Sequence, residues 1–268
     1  MTNYPDTDIL KIENQDGWLR LVLNDPSKKN ALSEAMAQAL SGALQAAAED
    51  NTVRAIALTG SDGVFCAGGD LKGMAKHIFT GDRDAIIAMS ASAGALFAQL
   101  ANQPQPVIAL IDGPAMAGGL GLACCADIIA VTRAAKFALT ETQLGIPPAQ
   151  IAPYVVARLG LVKAKRLMLT GAKLNGAEAL ELGLADTLVG DIDGLRAFES
   201  DIRRQIMACA PGANAATKAL AIKAATQDPA SLVEAAAAAF SDCLLSDEGR
   251  EGIASFVEKR APQWRQHD

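Results

Sequence analysis

Two glycine-rich stretches carry the most chemical information in this chain. They are Phe65-Cys66-Ala67-Gly68-Gly69-Asp70-Leu71-Lys72 and Asp112-Gly113-Pro114-Ala115-Met116-Ala117-Gly118-Gly119-Leu120-Gly121. Each follows an apolar, strand-like run and opens a helix: Asp70 can cap the first, and Gly119 to about Ala126 reads as the second. Backbone N–H groups at a helix start lack intrahelical acceptors, and the helix dipole favours negative charge there. Two such groups converging on one carbonyl oxygen would make an oxyanion hole. Either stretch alone reads equally well as a tight turn with close packing. Neither fits the phosphate loop G-x-x-x-x-G-K-[ST], and no acidic residue follows the second at the strand end a dinucleotide ribose requires.

Other reactive groups are scarce. The only histidines are His77 and His267, which argues against Ser-His-Asp and Cys-His nucleophiles and histidine-rich metal sites. Five cysteines, including the adjacent Cys124 and Cys125, form neither a disulfide framework nor a metal knuckle, and are expected to be small buried hydrophobes. No metal site is expected.

The elements that must position these groups alternate strand and helix. Trp18 to Leu23, Arg54 to Thr59, Pro106 to Ile111 and Asp127 to Val131 read as strands, the third a continuous apolar run suited to burial on both faces. Ser33 suits the N-cap of a helix reaching about Asp50, and Asp82 that of a helix reaching about Ala101. Beyond about residue 150 the pattern turns helical, with short helices over 149–159, 161–170 and 176–182, a brief strand at 185–189, helices starting near Asp191, Gly212 and Pro229, and a last helical segment over 248–259. No internal repeat is visible in the residues. The coarse expectation is an α/β core followed by a helical tail.

The 268 residues are 50% hydrophobic but only 4% aromatic, so the core must be aliphatic. A net charge of −6 argues against nucleic acid as a partner, because phosphate binding needs a basic field. No apolar run is read as long enough to span a membrane and the N-terminus lacks a signal pattern, so no membrane partner and a cytoplasmic location are expected.

Five stretches in order resemble the crotonase (enoyl-CoA hydratase/isomerase) superfamily over essentially the whole chain. They are LNDPSKKNALS (23–33), FCAGGDLKGM (65–74), PVIALIDGPAMAGGLGLACCADI (106–128), FALTETQLGIPP (137–148) and FVEKR (256–260). The resemblance implies an α/β spiral of ββα units with a C-terminal helical trimerisation region. The core with CoA and the active site is expected over 1–200 and the oligomerisation region over 201–268, assembled as a homotrimer or dimer of trimers. It further implies an acyl-CoA thioester as substrate, with coenzyme A part of the substrate and no separate cofactor. Oxyanion N–H groups then fall on Gly69 and Gly118, while Ala67, Gly68 and Gly69 lie along CoA. Lys28 or Lys29, and Lys72, match positions near its nucleotide part, and Phe256 and Lys259 match the C-terminal contact that closes over CoA, in many members from a neighbouring subunit.

The family's well-studied hydratases use two glutamates for general acid–base work. Here Glu141 matches the second, and the first falls on Gly121, which has no side chain. Three enolate reactions remain open by resemblance: hydration by Glu141 with ordered water, Δ3,Δ2-enoyl-CoA isomerisation by Glu141 alone, and decarboxylation or dehydration with different partners. Hydration is preferred, because LGIPPAQIAPYVVARLG (144–160) resembles bacterial hydratases of 3-methylglutaconyl-CoA and isohexenylglutaconyl-CoA type. A non-catalytic acyl-CoA-binding scaffold is the alternative of another class. Lys76, His77 and Arg83 fall in a segment that often lines the acyl pocket. The small residues from Met89 to Gly94 are read first as helix packing and second as room for a branched tail.

Overall fold

The computed structural model describes residues 4–265, apart from the side chain of Lys76; His267 lies outside them. A six-stranded sheet forms the spine. Its strands are β1 (Leu10–Gln15), β2 (Trp18–Leu23), β3 (Ala55–Gly60), β4 (Val107–Ile111), β6 (Ile128–Thr132) and β9 (Thr187–Val189), side by side in that order. Within this sheet, among the described residues, only the β1–β2 pair is antiparallel. A second sheet holds three short strands, β5 (Pro114–Met116), β7 (Lys136–Ala138) and β8 (Lys173–Asn175), in the order β5-β7-β8.

Alternating side chains divide the spine into two cores, as the two-residue period of a strand requires. Leu19, Leu21, Leu23, Ile56, Leu58, Val107, Ala109 and Ile111 face a large aliphatic core. It includes Met36, Leu40 and Leu44 of α1 (Glu34–Glu49), Leu96, Phe97 and Leu100 of α3 (Arg83–Ala101), and Leu120 and Leu122 of α4 (Gly118–Cys125). Trp18, Ala55, Ala57, Ile108, Leu110 and Ala130 face the other way, against Leu195 and Ile206 of α7 (Ile192–Met207). All five residues of β4 are buried, as expected for a strand covered on both faces.

The repeat absent from the residues is present in the path of the chain. β4 turns into short β5 and then α4; β6 turns into short β7 and then, through a 3-10 turn, into α5 (Ala152–Thr170). One turn earlier β3 leads to an isolated bridge between Cys66 and Ala115, then to α2 (Leu71–Thr80) and α3. The short second strands have three residues each, too few for a periodicity to register. Gly160, with φ +72° and ψ 159°, breaks α5 where two separate helices are expected.

Two expectations change. Residue 200, taken as the end of the core, lies inside α7, which packs on the sheet. The helices beyond it are α8 (Pro211–Ala224), α9 (Val233–Leu245) and α10 (Asp247–Glu258), with α6 (Gly176–Leu182) before it. And α3 does have the length and apolar composition of a membrane span. Its Leu96, Phe97 and Leu100 enter the core, Gln99 bonds Ser41 of α1, and Ala88 to Ala93 supply part of a cleft wall.

Candidate active site

The two glycine stretches lie side by side because their backbones pair. Phe65 and Cys66 N–H donate to Pro114 O at 3.0 and 3.1 Å, and Met116 N–H donates back to Cys66 O at 2.9 Å. The loop before α1 joins them: Leu32 N–H donates to Gly68 O at 2.8 Å and Ala67 N–H to Lys29 O at 3.1 Å. Asn30 underlies this junction. It is fully buried, its Nδ2 donates to Ser61 O and Val64 O, and its Oδ1 accepts from Asp25 N–H. Nothing in the glycine motifs points to Asn30; its signal would have been an uncharged polar residue amid a basic turn.

Gly68 has φ +98°, and a Cβ there would stand 2.9 Å from both Ala117 Cβ and Met116 O, so only glycine fits. On the facing stretch Ala117 has φ 48° and ψ −118°, a conformation a non-glycine residue holds only when its surroundings enforce it. The enforcing contact is Ala117 N–H to Ala138 O at 2.8 Å, from β7. This ψ angle orients the next peptide, which carries the Gly118 N–H. Asp70 caps α2 by accepting from Gly73 N–H at 2.9 Å, Ala117 precedes α4, and the built Cβ of Gly118 stands 3.6 Å from Gly69 N. Among the described residues neither the Gly69 nor the Gly118 N–H has a protein acceptor. Both glycines line one cleft of about 920 Å³.

Glu141 lines the same cleft. It opens the 3-10 turn Glu141–Leu144 that follows β7, the strand that also fixes Ala117. Gly145, left-handed at φ +77°, closes the turn, and Thr142 Oγ1 ties it to Met168 O of α5 at 3.1 Å. Burial raises the Glu141 pKa, with its own backbone N–H pulling the other way. Among the described residues its Oε2 is buried without a hydrogen-bond partner. An unpaired carboxyl oxygen in a partly dry cleft is costly to the fold and is the state from which a proton is readily taken or given.

Gly121 faces Glu141's cleft from α4 but is sealed from it. A Cβ at Gly121 would collide with the side chain of Ile151, and Phe97 Cε1 stands 3.4 Å from that position. Ile151, itself buried, and Phe97 both line the cleft, so an apolar wall occupies the space a second carboxylate would need. Gly121→Ala is therefore expected to destabilise the chain by about 1–3 kcal/mol through overpacking. Ile151→Ala in the same chain should recover part of it; thermal melts of the two variants check this.

The remaining expected positions divide. Lys28, Ala67 and Asp70 line the cleft, and Lys28 Nζ sits 3.4 Å from Asp70 Oδ2. The Gly73 N–H first, and Lys28 as well, hold the Asp70 carboxyl below its ordinary pKa. Lys29 does not line the cleft; it is left-handed at φ +54° and contributes its carbonyl to Ala67. Lys72 is exposed on α2 outside the cleft lining. Phe256 is 82% exposed near the end of α10, Lys259 caps that helix, and neither lines this chain's own cleft. His77 pairs with Asp82 at 3.3 Å and, like Arg83, lies outside the lining. Met89, Ser90, Ser92 and Ala93 do line it, so this segment of α3 is cleft wall as well as packing. Not every cysteine is a buried hydrophobe: Cys209 is exposed, Cys243 partly so, and buried Cys66 accepts the Gly68 N–H at 3.4 Å. Burial pushes the Cys66 thiol up to about 12, so it acts there as a neutral acceptor.

Known proteins share this fold. The enoyl-CoA hydratase/isomerase family model matches residues 13–267. The structure of AtuE from Pseudomonas aeruginosa superposes with a TM-score of 0.93 at 43% identity, covering 96% of this chain and all of that one. An enoyl-CoA hydratase/isomerase from Marinobacter aquaeolei gives a TM-score of 0.93 at 36% identity, covering 97% and 100%. The mitochondrial methylglutaconyl-CoA hydratase of Rattus norvegicus is 31% identical over 258 residues, 94% of this chain and 81% of its own length. With the family model spanning nearly every residue and the crotonase fold reproduced, the chain belongs to the enoyl-CoA hydratase/isomerase (crotonase) family.

Proposed function

We propose that this enzyme hydrates the α,β-double bond of a branched acyl-CoA of the 3-methylglutaconyl or isohexenylglutaconyl type, with Glu141 as its one proton-transferring carboxylate. The observation that carries the reading is the partnerless Glu141 carboxyl oxygen in the cleft that holds the unpaired Gly69 and Gly118 N–H groups. The thioester oxygen is held by those two N–H groups. Ionised Glu141 takes a proton from a water molecule as its oxygen bonds to the β-carbon. The π electrons move onto the thioester oxygen, where the two donors stabilise the enolate. The enolate then collapses, and Glu141 returns the proton to the α-carbon, so one water is consumed and the carboxylate is regenerated. Lys28 and Ala67, which line the cleft, hold CoA on one side of this centre; Gly68, expected there too, lies outside the lining, with its N–H and C=O both used within the loops. The choice of acyl group is supported by the likeness to the rat methylglutaconyl-CoA hydratase and by the 144–160 stretch.

The assembly belongs to the same proposal. Val233, Phe240, Leu245, Phe256 and Val257 of α9 and α10 are each more than 60% exposed, an apolar surface of the kind that subunit contacts cover. In a homotrimer or dimer of trimers, Phe256 and Lys259 would close over the CoA of a neighbouring subunit.

Incubation with 3-methylglutaconyl-CoA and crotonyl-CoA in heavy water tests the reaction. Hydration is expected as loss of the enoyl absorbance with one deuterium at the α-carbon. A single observation favours the isomerase alternative: Ile151 fills the second-carboxylate position, and one carboxylate suffices to move a proton between carbons. Deuterium exchange or double-bond migration without hydration would establish that reading instead, and binding without either reaction would establish a scaffold.

A further inference from the structure

Beyond Glu141 the cleft is walled by α3 and by the segment 144–151, and this wall is largely apolar, with Met89, Phe97, Ile146, Pro148 and Ile151. One polar pair interrupts it. Gln150 Nε2 donates to Ser90 Oγ at 3.1 Å, and both residues line the cleft. Gly94, one turn along α3 from Ser90, makes the contact possible: a Cβ there would overlap the Gln150 carboxamide, whose Cδ lies 2.9 Å away. The carboxamide is thus held against α3, half-buried, beside Ser90 and Gly94.

The bond between them uses one Gln150 hydrogen and one Ser90 lone pair. The Ser90 O–H and the second Gln150 N–H have no other partner among the described residues. Both are donors at half-buried positions in an otherwise apolar wall, and an acyl tail that displaces water from them without accepting their hydrogen bonds loses free energy. With the thioester oxygen at Gly69 and Gly118, and CoA directed along Ala67 and Lys28, the acyl chain is left to run along this wall.

We propose that Ser90 and Gln150 jointly bind a carboxylate or carbonyl oxygen carried by the acyl chain beyond its double bond, and so set a preference for oxygenated over plain hydrocarbon thioesters. This rests on the acyl-CoA reading of the cleft given above. Two neutral donors suffice for a carboxylate because hydrogen bonds to a charged acceptor are roughly twice as strong as neutral ones. They also explain rejection of an apolar tail, which would leave both donors unpaired.

The test compares glutaconyl-CoA with 2-pentenoyl-CoA, two acyl groups of equal length in which a carboxylate replaces a methyl. The wild type is expected to favour glutaconyl-CoA in kcat/KM by about tenfold or more. In Ser90→Ala and in Gln150→Leu that ratio should collapse towards one, whereas Ser90→Thr, which keeps the hydroxyl, should retain most of it. A wild-type ratio near one overturns the proposal. So does a ratio that stays within about twofold of wild type in both variants, including through equal losses on both thioesters, which would mark the pair as structural. If the wild type turns over neither thioester, the same ratio measured as Kd on Glu141→Gln by calorimetry still decides the subsite, and the hydratase reading itself stands or falls on 3-methylglutaconyl-CoA.

Discussion

Glu141→Gln is expected to lower turnover by about 10²–10⁴-fold, the range a single positioned acid–base group supplies. Acyl-CoA affinity should change little, because the grips on CoA proposed above, Lys28 and backbone atoms, lie elsewhere in the cleft. Stopped-flow loss of enoyl absorbance and calorimetric binding separate the two quantities, and near-normal turnover would remove Glu141 from the chemistry. Stability should move the other way. Burial raises the folded-state pKa of Glu141, so the folded chain keeps this proton to higher pH than the unfolded chain does. The group's contribution to stability is most favourable below the unfolded value and is lost as pH rises through the folded one. At pH 7 the ionised carboxylate therefore weighs on the fold, and the neutral amide does not. Glu141→Gln should melt above wild type at pH 7, with the difference vanishing as pH falls below about 4. The acidic limb of the wild-type kcat/KM profile should correspondingly lie above the ordinary glutamate range.

Gly69→Pro should cost about 10²–10³ in kcat, the usual effect of removing one oxyanion donor. A Cβ at Gly69 meets no atom within 4 Å, the residue lies outside the left-handed region, and its carbonyl remains free to accept from Leu71 N–H. What proline deletes is the N–H itself. Gly69→Ala keeps that donor and is expected to lose much less activity, with similar far-ultraviolet circular dichroism for both. Equal activity in the two variants would show that the Gly69 N–H does not stabilise the enolate. The same experiment at Gly118 is less clean, since proline there would follow Ala117 at ψ −118°, a geometry that the residue before proline disfavours.

Much of the local structure is legible in the residues. Ser33, Asp70, Asp82 and Asp191 cap the helices they precede, each accepting a backbone N–H within the first turn. Trp18–Leu23 forms the strand its residues describe, and the all-apolar β4 is buried on both faces. These features depend on neighbours only a few residues away, which is why composition and spacing reveal them. Strand β1 and the three short strands of the second sheet are not visible, being polar in one case and three residues long in the others.

The site shows the same division. Glu141 and the two glycine stretches are identifiable as residue types, because an acid–base carboxyl and a close-approaching backbone each demand a particular side chain or none. That the stretches share one cleft depends on pairing between residues about 50 positions apart, Cys66 with Ala115 and Met116. The bond from Ala117 to Ala138 that aims the Gly118 peptide, and the Asn30 brace beneath Gly68, are likewise contacts between separate turns of the spiral. Glycine at 121 is visible in the sequence only as a missing carboxylate. Tertiary structure decides what stands there instead: Ile151, from the loop after Glu141, fills the space, so position 121 presents no carboxylate opposite Glu141. The sequence by itself determined which groups can do chemistry, since that follows from covalent structure. Only packing decided which of them meet and which are shut out, because two side chains cannot occupy one volume.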